Sequence, residues 1–267
     1  MILFVFEGKI TEPKVMATLQ HLYFPSAVDQ LLCYYGTDTY TLWKDIKEHE
    51  ANGYDADIFS IVKQRIQRTG DHSLDKYNSY QIESIYLFFD YDPQNRTIPP
   101  ERLNQAIEEM ALKFIDPMET GKIFISYPML EGLFCLSSIP DPSFNHVCVP
   151  LSDCHGFKGW CQCFPFARKP EMLLLDTDKL GNIKDVPSDE RKQDLLEKWN
   201  DLVKMTAKKA NFICSGIAVC PKDVDAIPQI KIFQHERDDY VIQKSSVSII
   251  SAFPLFLFDY FHGNGVL

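Results

Sequence analysis

The chain has 267 residues, of which 45% are hydrophobic and 24% are charged, and its formal net charge is −10. This balance excludes a disordered or fibrous chain and leaves room for one sizeable core with an elaboration. The negative charge argues against a surface that coats nucleic acid nonspecifically, because neutralising phosphates requires clustered lysine and arginine. Local basic groups do occur, such as Arg65 with Arg68, and we interpret them as solvated helix faces.

The first 140 residues alternate between strand-like and helix-like segments. Short apolar runs predict strands at 2–6, 31–35, 85–89 and 122–126. Apolar residues at helical spacing predict helices that begin near Thr11, around 42–46, over 56–66 and at Pro100. Strands that alternate with helices predict an α/β protein with a parallel sheet flanked by helices and joined by right-handed crossovers.

The pattern changes after Ile139. Pro140, Pro142 and Pro150 lie within eleven residues, the alternation fades, and the clearest later element is a helix over 188–209. We therefore predict a domain over residues 1–140 and a C-terminal region over 141–267 that is mostly helical or mixed.

Two features bear on location. The chain opens on a strand-like run, without the basic leader of a signal peptide. The apolar stretch at 247–261 contains Pro254 and Asp259 and is short for a bilayer span. We expect a cytoplasmic protein that does not enter a membrane.

Half of the eight cysteines lie between Cys148 and Cys163, together with His155. In the reducing cytosol these are not expected to form a disulfide framework. A structural Zn²⁺ site is one interpretation, but the spacing contains no C-x-x-C pair, so free thiols are the favoured interpretation.

Acidic residues follow two of the predicted strands. Glu7 and Gly8 come directly after the first strand, and Asp90-Tyr91-Asp92 ends the third. The carboxyl ends of parallel strands meet at one edge of the sheet, where open α/β folds place reactive groups. Three carboxylates gathered there repel each other unless a hard cation such as Mg²⁺ or Mn²⁺ neutralises them. Glu7, Asp90 and Asp92 are therefore predicted metal ligands.

Other interpretations of the D-x-D motif fit less well. A phosphatase of the haloacid dehalogenase type would carry it on the first strand, with Thr or Val in place of Gln94. A nucleotide-sugar transferase also binds a metal through D-x-D but does not require the Glu7-Gly8 turn. Simple capping of strand ends is the interpretation without a function, and the pairing with Glu7 disfavours it.

Three motifs together resemble those of a known family. Glu at the end of the first strand with a later D-x-D is similar to the Toprim signature, and Glu7-Gly8-Lys9-Ile10-Thr11-Glu12-Pro13 resembles the E-G-x-x-T-E-P opening of RloB-like Toprim proteins, relatives of the OLD-family nucleases of bacterial defence. Ser126-Tyr127-Pro128-Met129-Leu130-Glu131 resembles their S-N-P-x-x-E segment, with Tyr127 in place of Asn. The resemblance covers about residues 1 to 140.

The resemblance implies a Mg²⁺-dependent Toprim endonuclease that cleaves phosphodiester bonds. It implies one Mg²⁺ on Asp90 and Asp92, Glu7 as ligand or general acid–base, and a second metal on Glu12 and Glu131. Lys9 would bind the phosphate. Each of the last three has a structural alternative: Lys9 faces solvent in a turn, Glu12 only complements the helix dipole, and Glu131 is an exposed helical residue.

The biological role also follows from the resemblance. Small Toprim proteins of this kind resemble toxic effectors of antiphage defence, such as those of PARIS systems, in which an ABC-type ATPase restrains the nuclease. The substrate would be tRNA or DNA. The alternatives are a housekeeping Toprim enzyme for RNA maturation or DNA nicking, and a non-catalytic Toprim scaffold that binds a partner ATPase.

Overall fold

A five-stranded sheet forms the centre of the computed structural model, which describes residues 1–24, 30–53, 57–94, 97–178 and 182–262. Its strands in chain order are β1 (Ile2–Phe6), β2 (Gln30–Tyr34), β3 (Ser84–Asp90), β4 (Ile115–Asp116) and β5 (Gly121–Ser126). In space the order is β2-β1-β3-β5-β4. The first three and β5 run parallel, whereas β4 pairs antiparallel with β5 at the edge.

Helices flank this sheet. They are α1 (Thr11–Tyr23), α2 (Thr39–Ala51), α3 (Ile58–Arg68), α4 (Pro100–Lys113), α5 (Phe157–Trp160), α6 (Pro165–Arg168), α7 (Asp189–Ser215), α8 (Gln229–His235) and α9 (Ala252–His262). Shorter 3₁₀ turns include Leu130–Phe134 and Leu151–Gly156, and a π-helical segment spans Glu236–Ile242. Strands β6 (Cys148–Pro150) and β7 (Ser246–Ser248) form a separate antiparallel pair.

The predicted strands are confirmed to within about a residue because each contains an uninterrupted apolar stretch. All five residues of β1 are buried, as expected for a strand covered on both faces. The sheet is mostly parallel, and its antiparallel edge strand β4 was not predicted, since two residues are too few to produce a sequence pattern. Residue 56, the predicted start of the third helix, lies outside the described residues, and α3 begins at Ile58.

The last helix of the C-terminal region covers one face of the sheet. Phe253 stacks on Phe88 with ring centroids 4.7 Å apart, and Phe256 lies 5.0 Å from the ring of Tyr86 and 5.6 Å from that of Phe4. Burying each phenylalanine contributes about 1.5–3 kcal/mol. The division into residues 1–140 and 141–267 stays a prediction, but the core of the sheet depends on contacts from both regions.

Backbone hydrogen bonds connect the end of β5 to the start of α9. The Tyr127 N–H donates to the Ile250 carbonyl at 2.8 Å, and the Ile250 N–H donates back at 3.0 Å. The Ser126 hydroxyl accepts the N–H of Ala252, so Ser126 stabilises the N-terminus of α9. Within the described ranges, no helix has both the length and the apolar character to cross a bilayer.

Candidate active site

Glu7 and Asp90 lie side by side at the carboxyl edge of the sheet. Strands β1 and β3 are neighbours, with Phe6 paired to Phe88, so the residues that follow them emerge together. The Asp90 N–H donates to Glu7 Oε2 at 3.1 Å, and the Glu7 N–H donates to the Phe88 carbonyl at 3.2 Å. The structure thus brings together the two acids on which the sequence prediction depends.

Burial and mutual repulsion destabilise the charged forms of both groups. Burial raises the pKa of Glu7 to about 8, against the effect of the Asp90 N–H, and the charges of Asp38, Glu12 and Asp92 raise it further. Burial also raises the pKa of Asp90 well above its ordinary value, followed by the charges of Glu7, Glu12 and Glu131. A bound cation would reverse this electrostatic cost.

Glu12 reaches the site from the first turn of α1. The Gly8 N–H donates to Glu12 Oε1 at 2.9 Å, and a Cβ at position 8 would lie 2.7 Å from Glu12 Oε2. Only glycine leaves room for this carboxylate at position 8. Burial raises the pKa of Glu12, backbone N–H groups lower it, and the charge of Glu131 raises it.

Among the five predicted acids, Glu131 is the only one that forms an ion pair in the described part of the chain. It lies in the 3₁₀ turn Leu130–Phe134, and Lys158 of α5 places Nζ 2.8 Å from Glu131 Oε1. Burial lowers the pKa of Lys158, but the hydrogen bond to Glu131 and the charges of Asp90 and Glu12 outweigh this, so its pKa is raised. Lys158 was not predicted, because no motif marks it and only the folding of the C-terminal region brings it to the sheet edge.

A cleft of about 400 Å³ opens on the other side of Glu7 and Asp90. Asp92 and Asp38 also line it. Asp38 accepts hydrogen bonds from the Thr41 N–H at 2.8 Å and the Thr41 hydroxyl at 2.9 Å, which caps α2. The buried Thr39 donates its hydroxyl to the Asp90 carbonyl at 3.2 Å and so anchors α2 beside β3. Asp38 was not predicted as a site residue, although an acid just after the second strand could have indicated it.

The five predicted acids therefore form two groups around Glu7 and Asp90. Asp92 lies on the cleft side with Asp38, and its carboxylate accepts the Gln94 N–H at 3.0 Å. Glu12 and Glu131 lie on the side of Lys158, where their charges act on each other and on Asp90.

Lys9 lies at the rim of the cleft with an exposed side chain. A Cβ on Gly36, which lines the cleft, would lie 3.2 Å from Lys9 Cε, and the φ of 75° at Gly36 also favours glycine. The pKa of Asp71 is lowered mainly by the Ser73 N–H, and the charge of Lys9 adds to this. Phosphate binding by Lys9 stays a prediction.

The donors at the site fit a hard divalent cation by their chemistry, since they are carboxylate oxygens without thiols or imidazoles. Their arrangement is not a ready-made cage: among the residues that the structure describes, no three His, Cys, Asp or Glu side chains are grouped so that they could hold a metal ion.

The cysteines between Cys148 and Cys163 do not converge in the described structure. The Sγ of the buried Cys161 lies 2.6 Å from Cys135 Sγ, the Sγ of Cys154 faces the Pro150 carbonyl, and Cys163 is exposed. All eight thiols are free. The zinc interpretation thus has no support from the positions of these side chains.

Sheet order and acidic cleft together define an α/β protein with a partly buried carboxylate cluster at the carboxyl edge of a mostly parallel sheet. Comparison of the chain with protein-family models, curated proteins and solved structures yields no match. The resemblance to Toprim proteins therefore depends on the three motifs alone.

Proposed function

We propose that this protein is a metal-dependent nuclease that hydrolyses phosphodiester bonds in RNA or DNA. The observation that supports this best is the hydrogen-bonded contact between Glu7 and Asp90, two partly buried acids from neighbouring strands whose pKa values are raised. Neither forms an ion pair within the described ranges. The charged forms of such carboxylates are unfavourable in the metal-free protein and become favourable when a cation binds. This behaviour is typical of a metal site.

In this proposal the five acids bind two cations. Glu7, Asp90 and Asp92 would hold one cation, and Glu12 with Glu131 a second, as the motif resemblance implies. Bound divalent metal would supply an activated water and stabilise charge on the phosphate oxygens. In the metal-free protein burial raises the pKa of Glu7 to about 8, so its carboxyl can release a proton near neutral pH as a cation binds. The motif resemblance also allows Glu7 a role as general acid–base.

Lys158 supplies a positive charge near these acids. Its Nζ is close to Glu131, and its side chain is 71% exposed, so it can turn toward a ligand in the site without being uncovered first. We propose that Lys158 leaves Glu131 to bind a phosphate oxygen when Glu131 takes up a cation, because an ammonium stabilises charge that develops on the phosphate.

The finer identity belongs to the same proposal. A Toprim-like fold is compatible with the described sheet, and the motifs favour it. The role as a toxic antiphage effector restrained by an ABC-type ATPase is supported by the motif resemblance only, and the described structure adds no argument for it.

Cleavage of labelled tRNA, single-stranded RNA and DNA in Mg²⁺ or Mn²⁺ tests the proposal, with EDTA as the blank. The variants are Glu7→Gln and Asp90→Asn, and the matched control is Glu190→Gln, a change at an exposed first-turn glutamate of α7. We expect the wild type and Glu190→Gln to cleave at least one substrate, and each site variant to be slower by at least about 100-fold.

Thermal unfolding of every variant confirms that it is folded before its activity is compared. The proposal is wrong if the folded wild type cleaves none of these substrates with either metal, or if Glu7→Gln and Asp90→Asn cleave as fast as Glu190→Gln. In the first case a non-catalytic binding role would replace it.

A further inference from the structure

The acidic cleft continues as a groove along α2. A second cavity of about 330 Å³ shares Asp38 with the cleft, and a third of about 450 Å³ shares Asp45, Glu48, Arg65 and Arg68 with the second. The shared lining residues place the three cavities next to one another, in a row that runs from the acids along α2 and α3. A groove of this length suits a chain-like ligand better than a small molecule.

The negative charge of Asp45 in this groove is already neutralised by an ion pair. Arg65 Nε and Nη2 donate to the two oxygens of Asp45, each at 2.6 Å, and the Tyr35 hydroxyl donates to Asp45 Oδ2 at 2.6 Å. Asp38 accepts two hydrogen bonds at the N-terminus of α2. Glu48 is the remaining acid shared by the outer two cavities.

Two cations of the groove have no partner in the described part of the chain. Lys44 on α2 and Arg68 at the end of α3 are both exposed, and neither donates a hydrogen bond or forms an ion pair there. About 9 Å of helix separates Asp38 from Lys44, at 1.5 Å per residue. Lys44 and Arg68 are thus placed to bind phosphates that neighbour one held in the cleft.

An aromatic ring lines the same cavity as Asp38, Lys44 and Arg68. Tyr40 lines the second cavity, is half-buried, and stacks on Trp43 with ring centroids 5.5 Å apart and an angle of 26°. The indole Nε1 of Trp43 donates to Glu109 at 2.9 Å, which fixes the ring behind Tyr40. A supported aromatic ring beside basic side chains is a typical platform for an unpaired base.

We propose that this groove binds a single-stranded segment of nucleic acid, with Lys44 and Arg68 on its phosphates and Tyr40 stacked on a base. The inference rests on the proposed nuclease function for its direction, because the strand would leave the acidic cleft along α2. Arg68 thereby has a role in ligand binding, whereas its sequence context indicated part of a solvated helix face.

Fluorescence anisotropy with a labelled single-stranded oligonucleotide of mixed sequence tests this groove. RNA and DNA versions are titrated in EDTA over a range of NaCl concentrations, so that cleavage cannot occur. The variants are the pair Lys44→Ala with Arg68→Ala, and Tyr40→Leu. The matched control is Lys204→Ala with Lys208→Ala on α7, which removes the same charge outside the groove.

We expect the Lys44/Arg68 variant to bind at least about 10-fold more weakly and to lower the slope of log K against log [salt] by about 1.4, or 0.7 for each phosphate contact. Tyr40→Leu should weaken binding by at least about 5-fold with an unchanged slope, because it removes stacking and not charge. The Lys204/Lys208 control should match the wild type.

The groove is refuted if the Lys44/Arg68 variant keeps the affinity and slope of the wild type, or if the wild type binds no oligonucleotide. Its failure differs from failure of the nuclease proposal. If Glu7→Gln abolishes cleavage while the groove variants bind normally, the nuclease stands and the groove falls. If the groove variants lose binding but the wild type never cleaves, the reverse holds.

Discussion

The pH dependence of stability reports on the carboxyl group of Glu7 and on the effect of its charge on Asp90. In the unfolded chain this group titrates near 4.5, whereas burial raises its pKa to about 8 in the folded protein. Between these values the folded state binds more protons than the unfolded state, so the stability due to this group is complete below pH 4.5 and is lost as the pH rises to about 8. Glu7→Gln cannot ionise and should not show this loss, while its amide oxygen can still accept the Asp90 N–H.

The size of the effect follows from the two pKa values. A rise from 4.5 to about 8 corresponds to about 5 kcal/mol. This is an upper limit, because water entry and side-chain movement reduce the cost of a buried charge. We expect the stability of Glu7→Gln relative to the wild type to increase by at least about 2 kcal/mol between pH 5 and pH 9, or about 4–8 °C in Tm. Glu236, whose pKa burial also raises to about 8, is present in both proteins and cancels.

Urea denaturation at pH 5 and pH 9 in EDTA, followed by circular dichroism, measures this difference. Excess Mg²⁺ at pH 9 should then stabilise the wild type more than Glu7→Gln, since a ligand that binds only the folded state adds to its stability. The reasoning fails if the difference in unfolding free energy between the two proteins is the same at both pH values. Glu190→Gln, at an exposed position, should show no pH-dependent difference from the wild type.

Three further substitutions test the packing around the site. Phe256→Ala should lower the unfolding free energy by about 3–5 kcal/mol in urea, because it leaves a cavity between α9 and the sheet. Ser126→Ala should cost about 1 kcal/mol in the same assay, because it removes the acceptor for the first N–H of α9. Gly8→Ala should displace the Glu12 carboxylate and weaken Mn²⁺ binding at least about 10-fold by titration calorimetry.

Each of these has a matched control or a contradicting result. Leu112→Ala changes an exposed apolar residue and should cost less than about 0.5 kcal/mol, so an equal cost at Phe256 would contradict the packing on the sheet. A Ser126→Ala variant as stable as the wild type would show that the cap contributes nothing. Gly156→Ala adds a methyl group where no atom lies within 4 Å and should leave Mn²⁺ binding unchanged.

The sequence predicts well those elements whose burial shows in the apolar character of their own residues. Strands β1, β3 and β5 each contain an uninterrupted apolar stretch. Parallel strands end at the same edge of a sheet, which is why Glu7 and Asp90 could be expected near each other if their strands were neighbours. The Glu12 carboxylate can approach the backbone at Gly8 because glycine has no Cβ, and only the folded structure shows this contact.

The features that escaped prediction depend on contacts between distant parts of the chain. Lys158 is one lysine among many until α5 brings it to Glu131, and the pattern of 247–261 shows an apolar segment without showing which face it covers. Hydrophobic periodicity reports that a surface is buried but not what buries it. For the same reason the groove over α2 could not be predicted from Arg65 and Arg68 alone.

The packing of α9 has a consequence for biosynthesis. Phe253 and Phe256 reach the first strand of the sheet from the opposite end of the described chain. During translation the aromatic face of that sheet therefore stays open until the segment with these phenylalanines leaves the ribosome. A chain whose synthesis stops before this segment would expose the aromatic face of the sheet, which favours chaperone capture or aggregation.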